Sequence, residues 1–336
     1  MACPVGLRAR PALAAMEAGI TRFVECEDVA GGVAVRASML MTLDVSETRT
    51  RRAAELARHA LAEAVAGVPG LSDRALPCFL ALPEPGADSP LSQSSLLQAL
   101  REVAGQAGLM LEPRIESIVS AGRAGVFQAI KSALYLFAAG RERFALVGGI
   151  DSLVDPVTLK ALAAANRLLG PKNLDGIIPG EAAAFLLLAD GRFAPPRPAL
   201  AQLHATACAQ EPIPFTSVGA RISTAQGLTA VFHELQKSLS GRVQAVFAGV
   251  TGEGFFGQEF AHSYLRSAAL MPEPLRLSPL SSALGDSGAA AGAVSIVRAV
   301  QRLAPFGSGR LSVPIQTALA YASSDNGLVG GCIVTC

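Results

Sequence analysis

Apolar positions recur at helical spacing over residues 47–66. Ala53, Leu56, Ala57, Ala60, Leu61, Ala64 and Val65 share one stripe, with Ser46 as a cap and Gly67 as the stop. A short apolar run over 76–82, set among prolines, predicts a buried strand. Residues 92–107 predict a second helix, and Ile115–Ala121 a further strand. Gly122-Arg123-Ala124-Gly125 is a small-residue turn, and the helix after it runs to Ala139 and stops at Gly140. Phe144–Val147 predicts a buried strand ending in Gly148-Gly149, residues 156–168 a helix, and Ala182–Leu188 another buried strand. Further on come a helix over 223–239, a strand at Val243–Ala248, a helix over 257–269, a small-residue turn from Gly285, a helix over 287–303, and strands at 311–322 and 328–335.

Strand, turn, helix, strand and Gly-Gly thus occur around 115–149, and turn, helix, strands and Gly-Gly recur around 285–331. This is a repeat of supersecondary units, not a solenoid period. Alternating strands and helices favour a mostly parallel sheet covered on both faces. The repeat divides the chain into halves, 1–193 and 194–336, joined by Ala194-Pro195-Pro196-Arg197-Pro198 as a linker.

Composition narrows the classes. The 336 residues, 51% hydrophobic, exceed what one core usually supports, which agrees with two lobes. A net charge of +1, 5% aromatic residues and no Trp argue against nucleic acid as a partner. The apolar run Ala182–Ala189 falls well short of the roughly 20 residues a membrane span needs, and the N-terminal residues do not form a signal segment. The expectation is a cytoplasmic protein without membrane contact. None of the six cysteines (Cys3, Cys26, Cys78, Cys208, Cys332, Cys336) sits in a CxxC pair, so neither a disulfide framework nor a zinc ribbon is indicated, and all six read as buried small residues. No metal and no cofactor is implied.

Four segments carry a family resemblance. Phe144-Ala145-Leu146-Val147-Gly148-Gly149-Ile150-Asp151-Ser152, preceded by a helix and Gly140-Arg141, is similar to the β-ketoacyl synthase strand ending in Gly-Gly. Asp175-Gly176-Ile177-Ile178-Pro179-Gly180-Glu181-Ala182-Ala183 resembles that family's Asp-Gly-(x)n-Gly-Glu-Gly-Ala segment. Gly285-Asp286-Ser287-Gly288-Ala289-Ala290-Ala291-Gly292 resembles its Gly-His-(x)n-Ala-Ala-Gly segment, and Asn326-Gly327-Leu328-Val329-Gly330-Gly331 its glycine-rich gate loop. Order and spacing of all four agree with the β-ketoacyl synthase (3-oxoacyl-acyl carrier protein synthase) family over most of the chain. Pro4-Val5-Gly6 resembles the turn after that family's first strand, so the expectation is either that this strand is missing or that the start codon is wrongly placed. The resemblance implies an α/β, thiolase-like fold: two similar αβα halves forming a five-layered α-β-α-β-α arrangement.

The resemblance also implies where a Cys-His-His triad belongs. Such an enzyme needs a thiolate at a strand-to-helix turn, where the helix N-terminus favours the anion. Counting back from Gly140 places Arg123 at the Cys position, and matching Ser120-Ala121 locally places Gly122 there. Gly249, in Gly249-Val250-Thr251-Gly252-Glu253, stands where the first His is expected. Asp286 stands for the second His and Ser281 for a nearby Lys. His59, His204, His233 and His262 fall on helix faces or a strand, apart from these segments. A cation at a helix N-terminus is unfavourable, so Arg123 either pairs with Asp286 or Glu253 inside the former pocket or points to solvent. Glu181 is implied to hold loops beneath the site.

The leading reading is a degenerate member of the family without condensing activity, acting as partner subunit, scaffold, or acyl or acyl-carrier-protein binding module. The competing reading is an active 3-oxoacyl-acyl carrier protein synthase, acyltransferase or hydrolase with an altered site built on Ser120, Glu253, Glu181 or Asp286; Ser120 would need a base, and none lies beside it in the sequence. The implied partners are an acyl carrier protein and a second subunit, as homodimer or as heterodimer with an active ketosynthase, joined along Ile115–Ala121. The basic clusters Arg49, Arg51, Arg52 and Arg141, Arg143 read as solvated faces or as a docking patch for the carrier.

Overall fold

A computed structural model of the chain describes residues 1–26, 34–68, 71, 75–86, 90–112, 117–193, 198–217, 222–303 and 315–336. It opens with α1 (Ala9–Glu17) and an antiparallel pair, β1 (Phe23–Cys26) and β2 (Val35–Ser38). α2 (Arg49–Val65), β3 (Leu76–Leu82), α3 (Gln93–Gln106), β4 (Leu111–Glu112) and β5 (Ile118–Ser120) follow. A 3-10 turn over Gly122–Ala124 leads into α4 (Gly125–Ala138), then β6 (Phe144–Ser152), α5 (Pro156–Ala164) and β7 (Glu181–Ala189). Next come β8 (Gln202–Gln210), α6 (Gln226–Gln236), β9 (Ala245–Ala248), α7 (Gly254–Arg266), β10 (Leu277–Pro279) and α8 (Ser281–Leu284). A second 3-10 turn, Gly288–Ala290, leads into α9 (Ala291–Leu303), β11 (Thr317–Ser323) and β12 (Leu328–Thr335).

Among the described residues, β1 and β2 form a sheet of their own and the other ten strands form two five-stranded sheets. One has the order β4-β3-β6-β7 with β5 also on β3; the other has the order β10-β9-β11-β12-β8. Each contains a parallel pair (β3 with β6, β9 with β11) followed by an antiparallel neighbour (β7, β12). In each, the 3-10 turn and helix precede the second strand of that pair, so the repeat read from the sequence is structural.

Strand alternation puts successive side chains on opposite faces of a sheet, and here both faces are apolar. Phe79, Ala81, Ala145 and Val147 face a central layer of α4 and α9, while Cys78, Leu80, Leu82 and Leu146 face α2 and α3. In the second sheet Ala318, Ala320 and Cys332 turn to the central layer, and Leu319, Tyr321 and Ile333 to α6 and α7. The result is five layers, helix–sheet–helix–sheet–helix. The two buried helices fit because their contacts are small: a Cβ on Gly330 would stand 2.7 Å from the Phe127 ring carbons, and one on Gly292 2.6 Å from the Arg123 carbonyl.

Several expectations are corrected. Thr48, not Ser46, caps α2, because Ser46 bonds Asp44 instead. β6 does not end at Gly148-Gly149 but continues to Ser152, each residue paired to β7. The helix expected over 156–168 ends at Ala164, with Asn166 at φ 53 turning the chain. α7 begins at Gly254, not 257. Gly330 and Gly331 lie inside β12, and only Gly327 is in the turn before it. Cys336 is exposed and Cys208 half-buried, because the first lies beyond the last strand and the second faces an open groove. Ala2 pairs with Ala183 and so extends the first sheet beyond β7. The linker at 194–197 lies outside the described residues.

The largest correction concerns the Arg49, Arg51, Arg52 cluster. It is neither a solvated face nor a docking patch, since two of its members are buried. Arg52 is 0% exposed and pairs with Glu181 through Nε and Nη2, both at 2.9 Å. Glu181 also accepts from the Leu40 amide and the Ser152 hydroxyl. Arg49 pairs with Asp151, which in turn accepts from the Ala289 amide at 2.9 Å and so braces the start of α9. Removing one partner of such a buried pair leaves an uncompensated charge. Glu181→Ala is therefore expected to destabilise the fold by about 3–5 kcal/mol, measured by urea unfolding. Arg51→Ala, at the exposed position between them, is expected to change it by less than about 0.5 kcal/mol.

Candidate functional site

The four segments singled out in the sequence converge. The Gly180 amide donates to the Asp286 carbonyl and the Asp286 amide to the Ile178 carbonyl, both at 2.8 Å. A Cβ on Gly149 would stand 2.6 Å from the Ala289 carbonyl oxygen, and one on Gly180 would collide with the Leu284 carbonyl. Gly122, at φ 64, turns β5 into α4 with its Cα against the Glu84 carboxylate. The glycines let the two halves touch at backbone distance, and this brings the starts of α4 and α9 together.

At that junction lies a buried ionic network. Arg123 is 5% exposed; its Nη1 donates to Asp286 Oδ2 at 2.9 Å, its Nη2 to Asp325 Oδ1, and its Nε to the Ser323 carbonyl at 2.8 Å. The other oxygen of Asp325 accepts from Arg167 Nη1 at 2.6 Å. Arg167 then grips Glu253 bidentately, at 2.9 and 2.8 Å. Each guanidinium lies over an aromatic ring, Arg123 over Phe256 at 4.8 Å and Arg167 over Phe215 at 4.6 Å. Ser324 completes the corner, accepting from the Ala124 amide at 2.9 Å and donating to the Ala121 carbonyl at 2.6 Å. It thereby serves a free amide at the start of α4 from 200 residues away.

Burial opposes the charge on Arg123, but Asp325, Asp286, Glu84 and Glu253 outweigh it and hold the guanidinium ionised well above its ordinary range. Burial by itself would raise Asp325, yet Arg123 and Arg167 keep its carboxyl below the usual carboxylate range. Glu84, with no guanidinium in hydrogen-bond contact among the described residues, behaves oppositely: burial and then the charge of Asp325 push it up, although Arg123 opposes the shift.

The structure thus joins two of the positions the resemblance assigned, Arg123 and Asp286, by a direct ion pair. Gly249 follows β9 and lies against Ala291, the first residue of α9, and its amide donates to the Tyr321 carbonyl at 2.8 Å. Glu253 faces the same network but binds Arg167 instead of Arg123. Glu181 is apart, in the Arg52 pair. Ser120 sits half-buried in β5 opposite Leu82. His59 bonds Glu55, His204 the Ser238 carbonyl and His233 the Arg266 carbonyl, all away from the network. Arg167, Asp325, Glu84 and the two phenylalanines escaped the sequence reading. Arg167 was counted inside a helix, and Asp325 is brought to Arg123 by the β11–β12 turn, which sequence spacing does not show.

An open groove of about 550 Å³ runs between α4 and the β8–β12 edge, lined by Phe79, Gln128, Lys131, Ser132, Tyr135, Leu136, Cys208, Ala209, Gln210 and Leu328. None of the network residues lines it. Among the described residues no group of His, Cys, Asp and Glu is arranged to hold a metal ion, and no helix is long and apolar enough to cross a membrane.

This architecture is similar to that of solved ketosynthases. The ishigamide ketosynthase/chain length factor matches with a TM-score of 0.70 at 17% identity, over 99% of this chain and 96% of that one. A β-ketoacyl synthase from Burkholderia phymatum STM815 matches at 0.72 and 17%, over 99% and 96%. A type II polyketide synthase acyl-carrier protein in complex with its ketosynthase bound to the hexaketide matches at 0.71 and 16%, again over 99% and 96%. The chain therefore has the thiolase-like ketosynthase fold. No family model matches it, and no curated protein matches it in sequence.

Arg123→Met strands Asp286 and leaves Asp325 with Arg167 alone, and is expected to destabilise the protein by about 3–5 kcal/mol in urea unfolding. Adding Asp286→Asn to that variant is expected to restore part of the loss, because one stranded charge is removed. Asp325, held low in the folded protein, contributes stability that is present at neutral pH and lost as pH falls through the carboxylate range. Asp325→Asn is expected to flatten that acid limb of the stability profile.

Proposed function

We propose that this chain is a ketosynthase-fold protein that has given up condensation and serves as a partner subunit, scaffold, or acyl or acyl-carrier-protein binding module. One observation carries the reading: a guanidinium, tied by three hydrogen bonds to Asp286, Asp325 and the Ser323 carbonyl, stands at the start of α4. Condensation needs a thiolate at that point and polarising donors opposite it. Here the point is cationic, and the groups opposite are carboxylates, which would repel the oxyanion that forms on a thioester. The resemblance places Gly122 or Arg123 at the nucleophile and Gly249 and Asp286 at the two histidines, and none of these is a nucleophile or a neutral donor of the required kind.

The competing reading, a hydrolase or acyltransferase built on Ser120, Glu253, Glu181 or Asp286, is less favoured. Each of those carboxylates is engaged by an arginine, so it is a poor acceptor for a proton from Ser120.

A second subunit is part of the proposal. β5 pairs β3 on one side, and its residues are half-buried; α4, packed on it, leaves Tyr135 68% exposed. Sheet edges of this kind are usually covered. The ishigamide match is itself a ketosynthase/chain length factor, which makes pairing with an active synthase a natural alternative to a homodimer.

Incubation with malonyl- and acyl-acyl carrier protein, followed by mass spectrometry of the intact chain, is expected to show no covalent adduct. A stable acyl adduct would overturn the non-condensing reading and reveal the nucleophile. Analytical ultracentrifugation at micromolar concentration is expected to show a dimer, alone or with an added ketosynthase; a monomer in both experiments would remove the partner-subunit part.

A further inference from the structure

Behind the arginine network lies a buried carboxylate with no cation in hydrogen-bond contact among the described residues. Glu259, on α7, is 1% exposed. One of its oxygens accepts from the Ser323 hydroxyl and the other from Ser223 at 3.4 Å. The carbonyl of the same Ser323 holds Arg123 Nε. Glu259 is thus one residue's width from the cation at the start of α4.

The groups around it come from every packed element. The segment after β8 brings Glu211, itself 2% exposed and bonded by the Thr224 hydroxyl and, at 2.8 Å, the Gly227 amide. β11 brings Tyr321, whose ring stacks on Phe260 at 5.7 Å and whose buried hydroxyl has no hydrogen-bond partner among the described residues. The turn before α4 brings Arg123 through Ser323. α6 packs on α7, but its Thr229 bonds Ser263 and its His233 bonds the Arg266 carbonyl, so neither reaches Glu259. Burial therefore acts against ionisation, and Glu211 adds a like charge; Glu259 is pushed up to about 7, although Ser323, Ser223 and Arg123 oppose the shift. The Ser323 hydroxyl can donate to the carbonyl oxygen of a neutral Glu259 as it can to an ionised one.

We propose that Glu259 is a proton-linked latch on the arginine network: neutral, it seats Ser323 and with it the corner that binds Arg123; ionised, it leaves its pocket and loosens residues 323–326. The sign follows from linkage. A carboxyl that keeps its proton in the closed state stabilises that state fully at low pH and loses the contribution as pH rises toward neutrality.

Amide hydrogen exchange of the full chain between pH 5 and 8, corrected for the pH dependence of chemical exchange, tests this. Opening of residues 323–326 is expected to rise by roughly 50-fold over that range and to level off above about pH 7.5. In Glu259→Gln, which mimics the neutral acid, the rise is expected to stay within about threefold. The same pH dependence in Glu259→Gln as in the parent chain overturns the proposal. Should that variant fail to fold, Glu211→Gln is the second arm. Removing the like charge must move the midpoint of the rise to lower pH, and an unchanged midpoint also overturns it.

Discussion

A charge taken out of water must meet an opposite charge, and at the centre of this molecule two guanidiniums and three carboxylates do so in one chain of contacts, Asp286–Arg123–Asp325–Arg167–Glu253. Both arginines lie before residue 194 and all three acids after it. The network therefore works as a clasp across the two sheets' elements, adding directional bonds to an interface otherwise made of alanine, glycine and aliphatic side chains. It also sets the character of the junction. A guanidinium at a helix N-terminus is electrostatically misplaced by itself, and only because Asp286 and Asp325 arrive from other elements can it remain there.

That arrival depends on close packing. Gly149, Gly180 and Gly292 allow backbone to meet backbone where any Cβ would intrude. The hydrogen bonds between 178–180 and 286 follow from that approach, as does the meeting of the two 3-10 turns that begin α4 and α9. Two further buried pairs, Arg52–Glu181 and Arg49–Asp151, secure the loops around the junction. Each carries extra hydrogen bonds that satisfy its remaining oxygens, which is the condition for a buried ion pair to be tolerated.

The chemical meaning of the site follows from the same electrostatics. A start of a helix that would favour an anion is occupied by a bound cation, and the space around it is taken by carboxylates and by the rings of Phe215 and Phe256.

Much of the architecture was legible in the sequence because it is written in local periodicity. The apolar run over 76–82 is the strand Leu76–Leu82, the run after Gly327 is a strand to Thr335, and Gly140 stops the helix before it. Cap choice and helix ends were less so, since Ser46 and Thr48 compete on equal local terms and the end of α5 rests on a single positive φ at Asn166. Of the site, the chain alone determined that Arg123 and Asp286 fall in two related turns, and that a cation there requires an acid. Only the tertiary structure decided which acids answer it: Asp325 from a turn 202 residues away, Arg167 as a bridge, and Glu253 paired to that bridge. It also decided that Arg49 and Arg52 are interior. The reason is physical: periodicity reports which face of an element is buried, but whether a charge can be buried depends on what the rest of the chain brings within about 3 Å of it.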